Sequence, residues 1–182
     1  NIMTPELSYS EMDHLAASIA PGAAGVKFYP HMEGAGSPFW RDDLHGSFHG
    51  LSLSTDKGHL IRALLEGVAY QIRKNLMVQE EITRIPIKEL RLFGGGSRSS
   101  LWCQLIANIT NRPVLQMQAE LANYGAVLLA EGGLRKEKGE TIQLESIKVP
   151  IGSYQPDREQ AACYQELYAL YRETEEKIMR KK

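Results

Sequence analysis

The stretch "LRLFGGGSRSSLW", residues 90–102, joins an apolar, strand-like run to a helix-like one through three consecutive glycines. Those glycines remove every Cβ at the carboxyl end of the strand, which is where open α/β sheets bind ligands. The helix that follows opens within Ser97-Arg98-Ser99-Ser100, so its unpaired N–H groups and the positive end of its dipole face the same spot. Two readings stand on these residues alone. The glycines make a tight strand-to-helix turn, or they leave bare backbone against which a phosphate, ribose or purine edge is laid. The spacing is neither GxGxxG nor GxxxxGK[ST], so the run by itself does not choose.

Working outward, "ELRLFGG" (89–95) is the strand, and Ser99 to Asn111 the helix, with an apolar stripe at Leu101, Trp102, Leu105, Ile106 and Ile109. Pro113 restricts "PVLQM" (113–117) to a short edge strand or a strand start. The 89–95 strand is expected to be central and parallel to it, with the helices at 99–111 and 121–134 covering the sheet. A helix rich in small residues covers 121–134 and ends at Gly132-Gly133, and "LRKEKGETIQLES" (134–146) reads as a polar surface loop. Upstream, a short helix lies within "SYSEMDHLAASI" (8–19) and Pro21-Gly22 breaks it. Strands are expected within "GVKFYP" (25–30) and "SFHGLSL" (47–53), on either side of the loop "HMEGAGSPFWRDDLHG" (31–46).

Thr55 or Asp56 then caps a long helix whose apolar residues are Leu60, Ile61, Leu64, Leu65, Val68, Ala69, Ile72 and Leu76. Pro156-Asp157, with Gln160 three residues on, opens a terminal helix over 157–180. It carries Ala161, Tyr164, Leu167, Tyr168, Tyr171 and Ile178 on one side. Strands alternating with helices make this a layered α/β protein, and 182 residues suit one domain, 1–182.

A formal net charge of -1 gives no support for nucleic-acid binding by bulk electrostatics. The terminal "RKK" (180–182) reads as solvating a helix end. With neither a signal peptide nor a long apolar span, the chain is expected off the membrane and in the cytoplasm. Cys103 and Cys163 are isolated, which suits thiols in a reducing compartment. His14, His31, His45, His49 and His59 make no metal spacing, and no metal ligand is assigned. His59 reads as a hydrogen-bonding residue at a helix start, Glu66 as a structural hydrogen bond within an apolar helix, and Trp40 and Trp102 as core or loop anchors. The opening "NIMTPELSY" carries no initiator methionine, so the chain is expected to be a piece of something longer.

The neighbours of the glycine run carry a resemblance. "GGGSRSSLWCQLIANITNRPV" (94–114) followed by "ANYGAVLLA" (122–130) resembles the adenosine-binding end of the FGGY family of carbohydrate kinases. "GSPFWRDDLHGSFHGLSLSTDKGHLIRALLEGVAYQIR" (36–73) is similar to the family's second signature, through Gly46, Phe48, Gly50, Leu51, His59, Ala63 and Glu66. Ser97-Arg98-Ser99 after the glycines looks more like the xylulokinase and gluconokinase branches than the glycerol kinases. There are departures. The family loop usually reads Gly-Glu-Arg-x-Pro-x-Trp-acid; here Ala35 and Gly36 replace the acid–base pair, Arg41 stands at the acid, and His45 replaces a frequent arginine.

The resemblance implies a ribonuclease-H-like, actin-like ATPase fold, of which this chain is the C-terminal lobe without its opening strands. By position, Gly94 and Gly95 lie along the adenosine and α-phosphate, Gly96 and Ser97 complete the turn, and Ser99 meets the adenine edge. Gly125 lets the next helix pack beside the nucleotide. Arg98 is either a phosphate contact or a solvated helix-start arginine. The implied reaction is transfer of the ATP γ-phosphate to a hydroxyl of D-xylulose, a related ketose or gluconate. The family's catalytic aspartate and its Gly/Thr-rich phosphate loop are not found here. No catalytic residue is therefore assigned, the Mg²⁺ ligands are expected outside this chain, and the chain alone is expected to be inactive. ATP and a sugar held by an N-terminal lobe are the implied partners, with a second copy of the chain as a further candidate. The rival reading is a non-catalytic, actin-like nucleotide-binding or assembly module.

Overall fold

Helices begin in this chain where a short polar side chain can accept the first free backbone N–H groups. The computed structural model describes residues 7–117, 121–137 and 150–180. Helix α1 (Tyr9–Ala17) opens on a reciprocal capping box between Ser8 and Glu11. Asp56 rather than Thr55 caps α2 (Lys57–Thr83), accepting the His59 N–H at 3.0 Å, while the Thr55 hydroxyl is engaged by the Ser52 N–H in the preceding turn. Ser99 caps α3 (Ser100–Thr110) and Asp157 caps α5 (Arg158–Arg180).

Strands β1 (Lys27–Tyr29) and β2 (Ser47–His49) form an antiparallel ribbon, Phe28 opposite Phe48. β2 is shorter than expected because Gly50 turns the chain at φ +80°. β3 (Leu90–Leu92), β4 (Val114–Gln116) and β5 (Gly152–Tyr154) form the second sheet in that order. β3 runs parallel to β4 as expected, but the central strand of this sheet is β4, not the 89–95 strand. The reason is β5, which sequence reading missed: it pairs antiparallel with β4 on the side away from β3. The fourth helix, α4 (Leu121–Glu137), does not stop at Gly132-Gly133 but continues through them. The expected packing of this helix on the sheet involves side chains outside the described residues, as does most of the expected 134–146 loop.

The main core gathers Tyr29, Tyr70, Ile106, Ile109, Val114 and Tyr164, with Tyr168 and Tyr171 of α5. Helix α2 runs through its middle. Of the expected apolar stripe, Ala69 and Leu76 are buried and Leu65 and Ile72 pack against the core, but three charged residues share the buried face. Leu64 is 42% exposed, whereas Arg62, Glu66 and Lys74 are each less than 5% exposed. Glu66 confirms its structural reading. Its carboxylate accepts Arg62 Nε at 2.8 Å, the Gly22 N–H at 3.0 Å and the Tyr164 hydroxyl at 2.8 Å. The remaining Arg62 nitrogens donate to the Ala16 carbonyl and the Tyr164 oxygen. Immediately beyond, α2 crosses β1 so closely that a Cβ on Gly67 would sit 2.2 Å from the Phe28 carbonyl oxygen.

A second polar knot lies one side-chain layer further along. Glu175 of α5, 1% exposed, accepts from Gln71 Nε2 at 2.6 Å and from Lys74 Nζ, and His31 Nε2 lies 3.7 Å away. Burial alone would raise the Glu175 carboxyl, but the nearby His31 ring and the bonds from Lys74 and Gln71 outweigh it and hold it below its ordinary value.

Two outcomes follow. Glu66→Ala leaves the Arg62 charge buried without its partner and should cost about 3–5 kcal/mol in urea unfolding. A loss under about 1 kcal/mol would show that the network contributes little beyond packing. Glu175, with its folded-state carboxyl depressed, contributes stability that is present above its ordinary 4.5 and lost as pH falls through the lower folded value. Glu175→Gln should therefore be less stable than the parent at pH 7 and show a smaller further loss below pH 4.5. Parallel acid limbs for the two proteins would place the titrating group elsewhere.

Candidate functional site

Leu92 ends β3, Phe93 is 55% exposed, and the chain then turns through Gly94 at φ +87°. A single 3-10 turn, Gly95–Arg98, leads into α3. The turn is closed from within: Ser97 Oγ donates to the Gly94 carbonyl at 2.8 Å and the Ser97 N–H to the same oxygen at 3.2 Å. Ser97 is buried, and its own carbonyl accepts from Gln116 Nε2 at 2.5 Å and from the Cys103 thiol at 3.4 Å. Gln116 in turn accepts the Tyr154 hydroxyl at 3.2 Å. Neighbouring strands β4 and β5 thus hold the underside of the turn.

Among the described residues, its upper side is bare. A Cβ on Gly94 or Gly95 would meet nothing within 4 Å, and one on Gly96 would meet only Trp102 Nε1 and Cδ1, at 3.4 and 3.6 Å. Gly94 needs its positive φ to turn the chain. Gly95 has neither a positive φ nor a neighbour that would exclude a side chain, so the fold itself gives no reason for a glycine there. Ser99 accepts the Trp102 N–H at 3.0 Å, which uses one lone pair of its hydroxyl and leaves the O–H to donate outward.

The structure thus brings Gly94, Gly95, Gly96, Ser97 and Ser99 together at the carboxyl end of a parallel strand and the N-terminus of α3. Gly125 lies apart in sequence, in the second turn of α4, where a Cβ would also meet nothing within 4 Å. Its expected packing beside a nucleotide rests on side chains outside the described residues. Burial pushes the Cys103 thiol up, which suits a packing residue rather than a nucleophile. Among the described residues no group of three His, Cys, Asp or Glu is placed to hold a metal ion.

The 31–46 loop is fastened to α2 and α5 rather than to the glycine turn. Lys74 Nζ lies 3.5 Å from the Phe39 ring centroid. Arg41, at the position where the resembling family has an acid, pairs with Asp43 at 2.5 Å and donates to the Met179 carbonyl at 3.4 Å. Trp40 is not a core anchor: it is 80% exposed at φ +51°. Trp102, by contrast, packs against the main core. His59 stands in the capping box of α2, as expected. A cavity of about 790 Å³ opens between the end of α1, α3 and the start of α5, but none of residues 94–99 lines it. The glycine turn is one open wall.

A parallel strand that ends in bare backbone before a helix N-terminus is an arrangement in which open α/β proteins bind ligands. Comparison with known proteins gives a family. The model of the FGGY family of carbohydrate kinases, C-terminal domain, matches residues 2–131. A gluconokinase of Bacillus licheniformis is 33% identical over 167 residues, which is 90% of this chain and 32% of that protein. A glycerol kinase of Xanthomonas campestris is 40% identical over 107 residues, covering 58% of this chain and 21% of that protein. The crystal structure of xylulose kinase from Rhodospirillum rubrum superposes with a TM-score of 0.76 at 32% identity, over 94% of this chain and 35% of that one.

The chain belongs to the FGGY family of carbohydrate kinases and has the actin-like ATPase fold of its C-terminal domain. It spans about a third of the length of the gluconokinase it matches, 32%. Relatives from the gluconokinase, xylulose kinase and glycerol kinase branches all match, so the Ser97-Arg98-Ser99 resemblance does not by itself separate the branches. No helix among the described residues is long and apolar enough to cross a membrane.

Sequence reading missed Gln116, which bonds the turn from below, and Tyr154, which bonds Gln116 and Ser100. The one available signal for Gln116 was its carboxamide within the otherwise apolar "PVLQM". Tyr154 lies in a three-residue strand with no period long enough to read.

Proposed function

We propose that residues 1–182 form the nucleotide-holding C-terminal domain of a cytoplasmic kinase that transfers the γ-phosphate of ATP to a sugar hydroxyl. D-xylulose, a related ketose or gluconate is the acceptor. The observation that carries this reading is Gly95: a residue with ordinary φ and open space at its Cβ position, at a strand's carboxyl end, in a chain of carbohydrate-kinase ancestry. Gly94 and Gly95 give adenosine and the α-phosphate bare backbone to lie against, and Gly96 and Ser97 keep the turn in shape. Ser99 offers its O–H to the adenine edge, and Gly125 keeps α4 close to the nucleotide. Bound ATP would supply the phosphoryl group, with Mg²⁺ held by its phosphates and by residues outside this chain. The sugar's contacts likewise belong to an N-terminal lobe.

Gly95→Val, made in the full-length gene product, tests the nucleotide surface. It should raise the KM for ATP by about 10- to 100-fold through a displaced nucleotide. The KM for sugar should stay near that of the parent, and stability within about 0.5 kcal/mol, as for an open surface position. An unchanged KM for ATP together with a lowered melting temperature would return the glycines to a turn-only role.

The 182-residue chain alone should show no sugar-dependent ADP release from Mg-ATP with a panel of ketoses and sugar acids. A glycine turn and a helix N-terminus position a nucleotide, but they neither take a proton from a sugar hydroxyl nor align it with the γ-phosphate. Turnover at ordinary kinase rates, about 1–100 s⁻¹, would mean that a base lies within this chain and that Glu66 or Asp43 must be reconsidered.

A further inference from the structure

We propose that Gln116 is a positioning residue for the nucleotide, acting through the glycine turn rather than by touching the ligand; this rests on the reading of residues 94–99 given above. Among the described residues, the turn lies on the sheet through one strong polar contact, Gln116 Nε2 to the Ser97 carbonyl at 2.5 Å. That carbonyl belongs to a residue 3% exposed, so without the carboxamide the Cys103 thiol, a weak donor at 3.4 Å, would remain as its described partner. The other end of the carboxamide is fixed as well. Gln116 Oε1 accepts the Tyr154 hydroxyl at 3.2 Å, and the same hydroxyl lies 3.1 Å from Ser100 Oγ in the first turn of α3. This sets the amide orientation, with the oxygen toward Tyr154 and the nitrogen toward the turn.

Room for the brace is built into the opposing strand. Gly152 is the cross-strand partner of Gln116, and a Cβ there would stand 2.6 Å from Gln116 Oε1. A larger residue would push the carboxamide out of its place. The result is a rigid path from β5 through Gln116 to the turn, with a side branch to the start of α3. It determines the height at which the Gly94 and Gly95 backbone stands above the sheet. Because Gly94 and Gly95 have no Cβ contacts of their own within 4 Å, no side chain of theirs can resist a shift of the turn. A shift there moves the surface that the adenosine meets while the sugar side is untouched.

The test uses the full-length gene product and Mg²⁺ with the fluorescent nucleotide mant-ADP. Gln116→Met keeps the volume and removes both polar contacts; Tyr154→Phe leaves the carboxamide but frees its orientation. Gln116→Met should weaken mant-ADP binding about tenfold and raise the KM for ATP by a similar factor, because the turn relaxes to relieve the unpaired Ser97 carbonyl and must be drawn back when the nucleotide binds. Tyr154→Phe should shift both in the same direction by a smaller factor. In both variants kcat and the KM for sugar should stay near those of the parent. Parent-like mant-ADP binding by Gln116→Met, with only a lowered melting temperature, would overturn the proposal. Should Gln116→Met fail to fold, Tyr154→Phe decides: parent-like binding by that folded variant overturns it equally. Absence of mant-ADP binding by the parent protein would sink the nucleotide reading itself, and this proposal with it.

Discussion

The carboxylate of Glu66 is the contact on which the arrangement of this domain depends. It sits 2% exposed in the middle of α2, where a charge taken from water must be matched or the helix cannot pack. Arg62 is one turn away on the same helix face and supplies the opposite charge. The remaining capacity of the pair is used by parts of the chain distant in sequence. The Gly22 N–H fixes the turn before β1, the Ala16 carbonyl fixes the end of α1, and the Tyr164 hydroxyl fixes α5. Apolar contacts would tolerate some sliding of these elements, but this set of bonds is complete in one register only. We regard that specificity, rather than net stabilisation, as the role of the pair, because buried ion pairs contribute little net energy against a well-packed apolar alternative.

From that fixed register the site is reached in two steps. Tyr164 joins Tyr70 and Ile106 in the main core, so positioning α5 also positions α3. The N-terminus of α3 is where Ser99 caps the helix and the glycine turn ends. From the other side the sheet reaches the same turn through Ser97. The turn is therefore held between helix and sheet; Gly94 enters that hold through its carbonyl, and no described side-chain bond reaches Gly95. The loop at 31–46 has a separate anchorage on Lys74, Glu175 and the end of α5, so its departures from the family pattern leave the glycine turn as it is.

What could be read from sequence follows the range of the interaction responsible. Caps are local: Asp157 with Gln160 was read directly, and the cap of α2 was narrowed to Thr55 or Asp56, whereas Ser99 was placed inside α3 rather than at its cap. The parallel pairing of β3 with β4 was legible because a helix separates them and "PVLQM" is apolar. The inner face of α2 was legible in its apolar part, Leu65, Ala69, Ile72 and Leu76, and not in its charged part. Glu66 and Lys74 are buried by partners at Tyr164 and Glu175, about a hundred residues on. No local pattern announces such partners. β5 was missed for a related reason: three residues carry no period, and the strand exists because β4 offers it an edge. In the same way, Gly132-Gly133 is a fair stop signal locally, since each glycine costs a helix about 1 kcal/mol. Even so, α4 continues to Glu137.

The glycines of the chain divide by what requires them, and that division carries the functional argument further than the motif does. Gly67 is required by packing, since any side chain there meets the Phe28 carbonyl, and Gly94 is required by its backbone angle. Gly95 is required by neither. Openness by itself does not mark a site, because Gly36 and Gly133 are open as well and nothing in their surroundings explains them. Gly95 differs in where it lies: at the carboxyl end of a parallel strand, one turn ahead of a helix whose free N–H groups point the same way. A position that the fold leaves free, placed where the backbone field favours an anion, implies a requirement imposed by something outside the chain. In the reading proposed above a nucleotide meets that requirement, and the bonds of Ser97 that close the turn run inward, away from its outer face.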